Sequence, residues 1–241
     1  MSETVTSPVP ESTPDPGLAS RLIGVVFSPR TAYTAVAAHP RWFGALAVSA
    51  LIYIGAQVTF LSTAVGQNAA LDQQISVMKA FGMNITDQMV QQMQAQMAYA
   101  PYTTGVSLLV FLPVICAAFA GLLLAVFTAI LGGGATYRQV FAVVAHSLII
   151  GALQQLFSLP IMYGRGDMAS PTKLSVFFPT LDEMGFFLYL LSALDLFIIW
   201  STINVAIGVA VLYKRRTGPI VAVLLGIYAV IAVIIAAVRA S

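Results

Sequence analysis

Five long apolar stretches divide the chain between residues 43 and 238. Their lengths fit membrane-spanning helices, since about 20 helical residues cross the hydrocarbon core of a bilayer. The predicted spans are residues 43–63, 103–131, 139–161, 184–213 and 219–238. The second and the fourth are longer than one crossing requires, so we expect them to tilt or to project from the bilayer. The pattern predicts an all-α integral membrane protein with a five-helix transmembrane bundle.

The segment between the first and second spans, residues 64–101, has a different pattern. It is rich in glutamine, asparagine and methionine, and its later apolar residues recur with helical spacing. We expect an amphipathic extramembrane helix over residues 86–99, starting at Thr86, that lies on the bilayer or caps the bundle. Three methionines stand one turn apart: Met89, Met93 and Met97. They could present thioethers to Cu(I), but methionines at this spacing more often form an apolar packing face.

The amino-terminal segment differs from the rest of the chain. Residues 1–20 are rich in proline, serine and threonine and have no apolar run of the kind found in a signal peptide. We predict a disordered tail there, followed by one membrane domain over residues 21–241.

The composition agrees with a membrane environment. Hydrophobic residues make up 59% of the 241 positions and charged residues only 8%. A soluble domain carries about 25% charged residues, so lipid must surround most of this chain. The formal net charge of +2 is too small to indicate a nucleic-acid partner. The single cysteine, Cys116, excludes an intrachain disulfide and lies in an apolar run, where it is expected to pack.

Basic residues are distributed unequally over the loops of a five-span topology. With a cytoplasmic amino terminus, the inner segments hold Arg21, Arg30, Arg41, Arg138, Lys214, Arg215 and Arg216, and the outer segments hold Lys79, Arg165, Lys173 and Arg239. Because cytoplasmic loops carry an excess of lysine and arginine, we predict an inner amino terminus and an outer carboxyl terminus. The run of three basic residues at 214–216 is mainly a determinant of this topology, and could also contact anionic headgroups at the membrane surface.

Two ionisable side chains fall inside the predicted spans, His146 and Asp195. An aspartate at the bilayer centre costs about 2.5–3.5 kcal/mol on insertion scales, so it should face a partner or water. If the third and fourth spans run antiparallel, facing residues have position numbers with a constant sum. Gln155 with Asp195 and His146 with Asn204 share the same sum. We therefore predict that these helices pack together, with Gln155 or Gln154 near Asp195 and His146 near Asn204.

These polar layers have two interpretations. A structural polar clamp would have its hydrogen bonds satisfied within the protein, whereas a proton or ion path would have to reach water. The clamp is favoured, because one carboxylate and one imidazole two to three turns apart make a poor relay. The sequence shows no serine–histidine–acid set, zinc-ligand cluster or carboxylate pair. We therefore expect no catalytic residues, no cofactor and no metal, and we regard an intramembrane enzyme as the least favoured class.

The second predicted span carries a small residue at every fourth position. These residues are Ala117, Gly121, Ala125 and Ala129. Such a stripe lets another helix approach closely inside lipid. Intramolecular packing is the favoured interpretation, and homodimerisation is the alternative.

Three stretches of the sequence together resemble the Yip1 domain family of five-span membrane proteins. Residues 27–52 contain Phe-x-Pro, a short helix and Pro-x-Trp before the first span. Residues 132–149 combine a glycine turn with an aromatic and basic start to the third span. Residues 194–213 carry Trp200 and Gly208 in the pattern Trp-x-x-x-apolar-x-x-x-Gly. The resemblance covers nearly the whole chain after residue 20 and is closer to bacterial members.

The resemblance implies five helices and a cytoplasmic amino terminus, as the basic residues indicate independently. Eukaryotic members associate with Rab-type small GTPases in vesicle traffic, but this sequence lacks their acidic-Leu-Tyr-Gly-Pro signature, so Rab binding is not implied here. We expect a non-enzymatic scaffold or adaptor of a bacterial inner membrane that contacts lipids and either other membrane proteins or itself. The alternative is a small transporter or channel that uses the polar layer around Asp195.

Overall fold

A computed structural model of the protein describes residues 17–180 and 185–240, and nearly all of them are helical. The helices are α1 (Leu18–Phe27), α2 (Pro29–Ala38), α3 (Phe43–Leu61), α4 (Ala64–Ala80), α5 (Asp87–Gln96), α6 (Ala100–Leu131), α7 (Tyr137–Arg165), α8 (Phe186–Ala193), α9 (Leu196–Leu212) and α10 (Thr217–Ala240). Two short 3₁₀ helices, Met97–Tyr99 and Leu174–Phe177, complete the helical structure. The described residues form no β-strand, so the prediction of an all-α fold is confirmed.

Four helical segments among the described residues are long and apolar enough to cross a membrane. They are helix α3, helix α7, helix α10 and the run Asp87–Leu131, which contains α6. They correspond to the first, second, third and fifth predicted spans. In the most apolar part of α7, 61% is buried inside the protein. The corresponding buried share is 17% for α10 and 17% for the run that contains α6. Helix α7 is therefore the centre of the bundle, and α6 and α10 present most of their surface outward.

The predicted fourth span, residues 184–213, is not a continuous helix. Helix α8 ends at Ala193, Leu194 and Asp195 are extended, and α9 begins at Leu196. The prediction of one helix was wrong because Asp195 was interpreted as a buried side chain within the helix, whereas it is the N-cap of a new one. Helix α10 packs against both α8 and α9. Since α9 has only 17 residues, a fourth crossing needs the two broken pieces together.

The amino-terminal helices α1 and α2 form a hairpin that packs on α7 and α9. Helix α1 begins at Leu18, so the end of the predicted tail is helical, whereas residues 1–16 lie outside the described residues. The hairpin turns at Ser28 and buries Val25, Tyr33 and Val36 completely. It therefore supplies part of the core rather than a separate arm.

Two helices lie between α3 and α6. Helix α5 with its 3₁₀ extension coincides with the predicted amphipathic helix, and the Thr86 hydroxyl accepts a hydrogen bond from the Met89 amide at 3.3 Å, an N-cap. Of the three spaced methionines, Met93 is buried and the other two are half-buried, as in a packing face. Helix α4 was not predicted, because its apolar residues form no helical stripe.

Candidate functional site

The helix break at Leu194–Asp195 is completed by the loop that follows α7. The amide of Leu196 donates to the carbonyl of Thr172 at 3.1 Å, and the amide of Leu174 donates to the carbonyl of Leu194 at 2.8 Å. These bonds pair the two extended segments antiparallel over one bridge. Non-helical backbone at membrane depth is tolerated only where its polar groups find partners. The loop thus supplies the backbone partners that a continuous helix would have supplied.

The Asp195 carboxylate is enclosed by hydrogen-bond donors and is only 4% exposed. Its Oδ1 accepts from Gln154 Nε2 and from the Phe197 amide, both at 2.9 Å. Its Oδ2 accepts from the hydroxyls of Ser170 and Thr172, both at 2.7 Å. As the N-cap of α9, the carboxylate also lies at the positive end of that helix dipole. Both oxygens are therefore occupied by partners within the protein.

Helix α10 closes the break from the opposite side through Tyr228. Its hydroxyl accepts from the Asp195 amide at 3.0 Å and donates to the Ala193 carbonyl at 2.8 Å. One hydroxyl thus satisfies one donor and one acceptor that the break leaves without helical partners. Sequence reasoning missed Tyr228, although a tyrosine in the middle of an apolar span is a signal for such a buried polar partner.

The predicted polar layer at Asp195 is built with Gln154 rather than with Gln155. Neighbouring residues on a helix point about 100° apart, so a match in depth alone could not select between them. Gln155 instead lines a pocket next to this layer.

The second predicted layer places His146 and Asn204 in the core, but no hydrogen bond joins them. His146 is fully buried, and its Nδ1 lies 2.7 Å from the Ala142 carbonyl, so Nδ1 carries the proton. With its amide oriented to satisfy both atoms, Asn204 donates to the Val25 carbonyl at 3.0 Å and accepts from the Trp200 indole at 3.1 Å. Both side chains are buried, but His146 bonds within α7, whereas Asn204 bonds to α1 and within α9.

Tyr33 of α2 links α7 to Asn204 of α9, a contact that His146 was expected to make. Its hydroxyl lies 2.6 Å from Ser147 Oγ and 3.4 Å from the Asn204 amide. Burial raises the pKa of this hydroxyl above its ordinary value, so it stays neutral and can donate. Sequence reasoning missed this residue because it lies in a short helix outside the predicted spans.

A polar pocket of about 210 Å³ lies next to the Asp195 hydrogen-bond network. We call it the amide pocket. It is lined by Gln57, Gln73, Gln154, Gln155, Ser158, Met162, Met168 and Ser170. Gln154 and Ser170 belong to both the pocket and the network, because they also donate to Asp195. Within the described residues, no group of three or more His, Cys, Asp or Glu side chains could hold a metal ion.

The predicted small-residue stripe on α6 is divided into two parts. Tyr137 of α7 covers the first, donating to the Ala117 carbonyl at 3.0 Å and lying 3.9 Å from the Cβ position of Gly121. Ala125 and Ala129 are exposed. No other described helix covers these two alanines closely, so the stripe is only partly used within this chain.

The three basic residues between α9 and α10, Lys214, Arg215 and Arg216, are all exposed. Arg215 donates to the Leu131 carbonyl at 3.0 Å, which ties this turn to the end of α6. Arg30, at the hairpin turn, donates to the Thr217 hydroxyl at 3.3 Å. Basic side chains are thus gathered at the end of the bundle where α6 and α9 end and α10 begins, which we call the basic end.

The family model of the Yip1 domain matches residues 23–238, nearly the whole chain. No curated protein and no solved structure matches it.

Proposed function

Because the chain belongs to the Yip1 domain family, we propose that it is a non-enzymatic integral membrane protein that works as a scaffold or adaptor for other membrane proteins. The observation that carries this proposal is the state of Asp195. A carboxylate with four close donors from its own chain has no oxygen left for chemistry on a substrate. The outward faces of α6 and α10 are then the main surfaces available for contacts.

The face of α6 supports a protein partner in addition to lipid. Its exposed small residues Ala125 and Ala129 allow the backbone of another helix to approach. A second copy of this chain or another membrane protein would fit the same surface.

We also propose that the basic end faces the cytoplasm of a bacterial inner membrane. Arg138 precedes the core of α7 at this end, with Arg30 and the turn at residues 214–216 nearby. The described residues at the opposite end include Asp72, Asp87 and Asp167. This distribution follows the excess of positive charge on the cytoplasmic side, and it would place the carboxyl terminus outside.

A photo-crosslinking amino acid at Ala125 tests the scaffold proposal in native membranes. We expect protein adducts from Ala125 and from Ala129, identified by mass spectrometry. The matched control is the same probe at Val106 or Ile130, which are also exposed on α6 but point about 100–140° away from the two alanines around the helix. Lipid adducts alone at all four positions would contradict a scaffold role for this face.

A second candidate function, transport, is favoured by the helix break beside the amide pocket. Broken helices with polar groups at membrane depth form the substrate and ion sites of many transporters. Transport of protons would require the Asp195 carboxylate to take up a proton from water and to release it again.

We expect the sealed carboxylate to prevent this exchange. Vesicles containing the protein and a pH-sensitive dye should show the same proton flux as empty vesicles under an imposed gradient. Asp195→Asn should leave that flux unchanged. A flux above that of empty vesicles that is lost in Asp195→Asn would instead establish transport and overturn the scaffold proposal.

A further inference from the structure

The amide pocket contains polar side chains that the fold leaves without partners. Gln57, Gln73 and Gln155 make no side-chain hydrogen bond to any described residue. The Ser158 hydroxyl is also without a partner among the described residues, although the residue is only 2% exposed. Buried polar groups in proteins are almost always hydrogen-bonded, to protein, water or a ligand. Ser158 is buried, Gln57 and Gln155 are half-buried and Gln73 is exposed, so the lining offers several unpartnered polar groups to a ligand.

The positions of Gln57 and Gln155 are costly for unpartnered amides, whereas Gln73 is exposed on α4. Gln57 lies one turn before the end of α3, and Gln155 lies more than two turns before the end of α7, both within apolar helices. Leucine at either position would be cheaper to bury in a membrane. Three helices and the loop after α7 nevertheless bring amides to one place, which is the arrangement expected of a binding site.

The chemistry of the lining selects the kind of ligand. None of the eight lining residues is charged, so a charged ligand would enter without a countercharge. The carboxylate of Asp195 is held by two of the lining residues and disfavours a phosphate nearby. Each glutamine amide offers both donors and an acceptor, which suits groups that donate and accept at once. Hydroxyl groups have this property.

The remaining lining residues fit the apolar part of such a ligand. Met162 and Met168 present flexible thioether side chains, which pack well against irregular surfaces. A sugar ring combines hydroxyls at its edge with C–H groups on its faces. The cavity volume of about 210 Å³ is large enough for several water molecules and leaves room for one such ring.

We propose that the amide pocket binds an uncharged, hydroxyl-rich group, supplied by the sugar headgroup of a glycolipid or by a free saccharide. This inference goes beyond the scaffold role, because the pocket would bind its ligand whether or not the protein assembles with others.

Thermal unfolding of the full chain in phosphatidylcholine nanodiscs tests the proposal. One arm adds monoglucosyl diacylglycerol to the nanodiscs, and the other adds free methyl glucoside. We expect a concentration-dependent rise in Tm in at least one arm. A rise in the lipid arm alone identifies a headgroup as the source, and a rise with methyl glucoside identifies a soluble saccharide.

Substitutions in the pocket should remove this effect. Gln155→Leu and Gln57→Leu each delete the hydrogen bonds of one amide, and we expect the apparent Kd to rise about tenfold. Both variants should fold, since leucine is readily accommodated in a membrane helix. Gln74→Leu is the matched control: Gln74 is an exposed glutamine of α4 next to Gln73 but outside the pocket. It should retain wild-type binding.

The proposal is overturned if neither sugar raises Tm, or if both pocket variants bind as well as the wild type. A third arm replaces choline chloride by sodium chloride at constant ionic strength. Stabilisation by sodium that is lost in Gln155→Leu would also overturn the proposal, because it would make the pocket a cation site.

Discussion

Replacement of Asp195 by alanine is expected to lower the free energy of unfolding by about 3–5 kcal/mol. The substitution removes the N-cap of α9 and takes the shared acceptor away from four donors: Gln154, Ser170, Thr172 and the Phe197 amide. Gln154 keeps its bond to the Thr172 hydroxyl at 3.0 Å, and the Ser170 and Thr172 hydroxyls remain 2.8 Å apart. Loss of an N-cap costs about 0.5–2 kcal/mol, and each buried donor left unsatisfied costs about 1–3 kcal/mol. The total stays below the sum because the two hydroxyls can rotate toward other acceptors.

Asparagine at the same position separates capping from charge. Asn caps a helix as well as Asp does, and its oxygen can still accept from Gln154 and the Phe197 amide. The hydroxyls of Ser170 and Thr172 can reverse and accept from its nitrogen. We therefore expect Asp195→Asn to cost about 1–2 kcal/mol.

Unfolding of the purified protein in mixed micelles, with increasing SDS, measures both effects. Asp167→Ala is the control, because this aspartate lies in the same loop as Ser170 but its side chain is 42% exposed, in an ion pair with Arg165. It should change stability by less than about 1 kcal/mol. If Asp195→Ala were no more destabilising than Asp167→Ala, the carboxylate would not hold the break together.

Replacement of Gly208 by alanine is expected to destabilise the protein by about 1–3 kcal/mol. A Cβ built on Gly208 would overlap the side chain of Val143 on α7 and lie 3.3 Å from the ring of Tyr33. Glycine therefore allows α9, α7 and α2 to meet at one point. Both neighbours are fully buried, so neither can move away into lipid or water.

A double substitution tests whether this close contact is the cause. Val143→Ala makes room for the new methyl group, so Gly208→Ala combined with Val143→Ala should be about 1–2 kcal/mol more stable than the two single effects predict. The same SDS unfolding measures the coupling.

Gly226→Ala in α10 is the control, since a Cβ there meets no atom within 4 Å. It should leave stability unchanged or raise it slightly, because alanine is the better helix former. Additive single effects would show that the Gly208 contact is not limiting.

Both predictions concern one feature, the attachment of α9 to its neighbours at two heights. At the amino-terminal end of α9, polar groups of Gln154, Thr172 and Tyr228 hold the beginning of the helix in place. About three turns further along α9, the contact between Gly208 and Val143 fixes the position of α9 against α7. A helix of 17 residues bound in this way has little freedom to move as a gate, which agrees with a scaffold role more than with transport.

The amino-acid sequence by itself determined the class of the protein and most of its helices. Runs of about 20 apolar residues have one stable form in lipid, because a backbone there must satisfy its own hydrogen bonds. The same reasoning located α3, α7 and α10, and the periodicity of apolar residues together with the Thr86 cap located α5. The antiparallel register predicted Gln155 or Gln154 near Asp195, and Gln154 donates to Asp195 at 2.9 Å.

Only the tertiary structure decided the break at Leu194–Asp195, the choice of Gln154 over Gln155 and the convergence of amides in the pocket. The break depends on backbone partners from Thr172 and Leu174, which are distant in sequence and carry no local signal. The choice between the two glutamines depends on the rotation of α7, because residues next to each other on a helix have the same depth but point about 100° apart. Hydropathy along the chain indicates how deep a residue lies in the bilayer. It does not indicate how a helix is rotated about its axis or which loop packs against it.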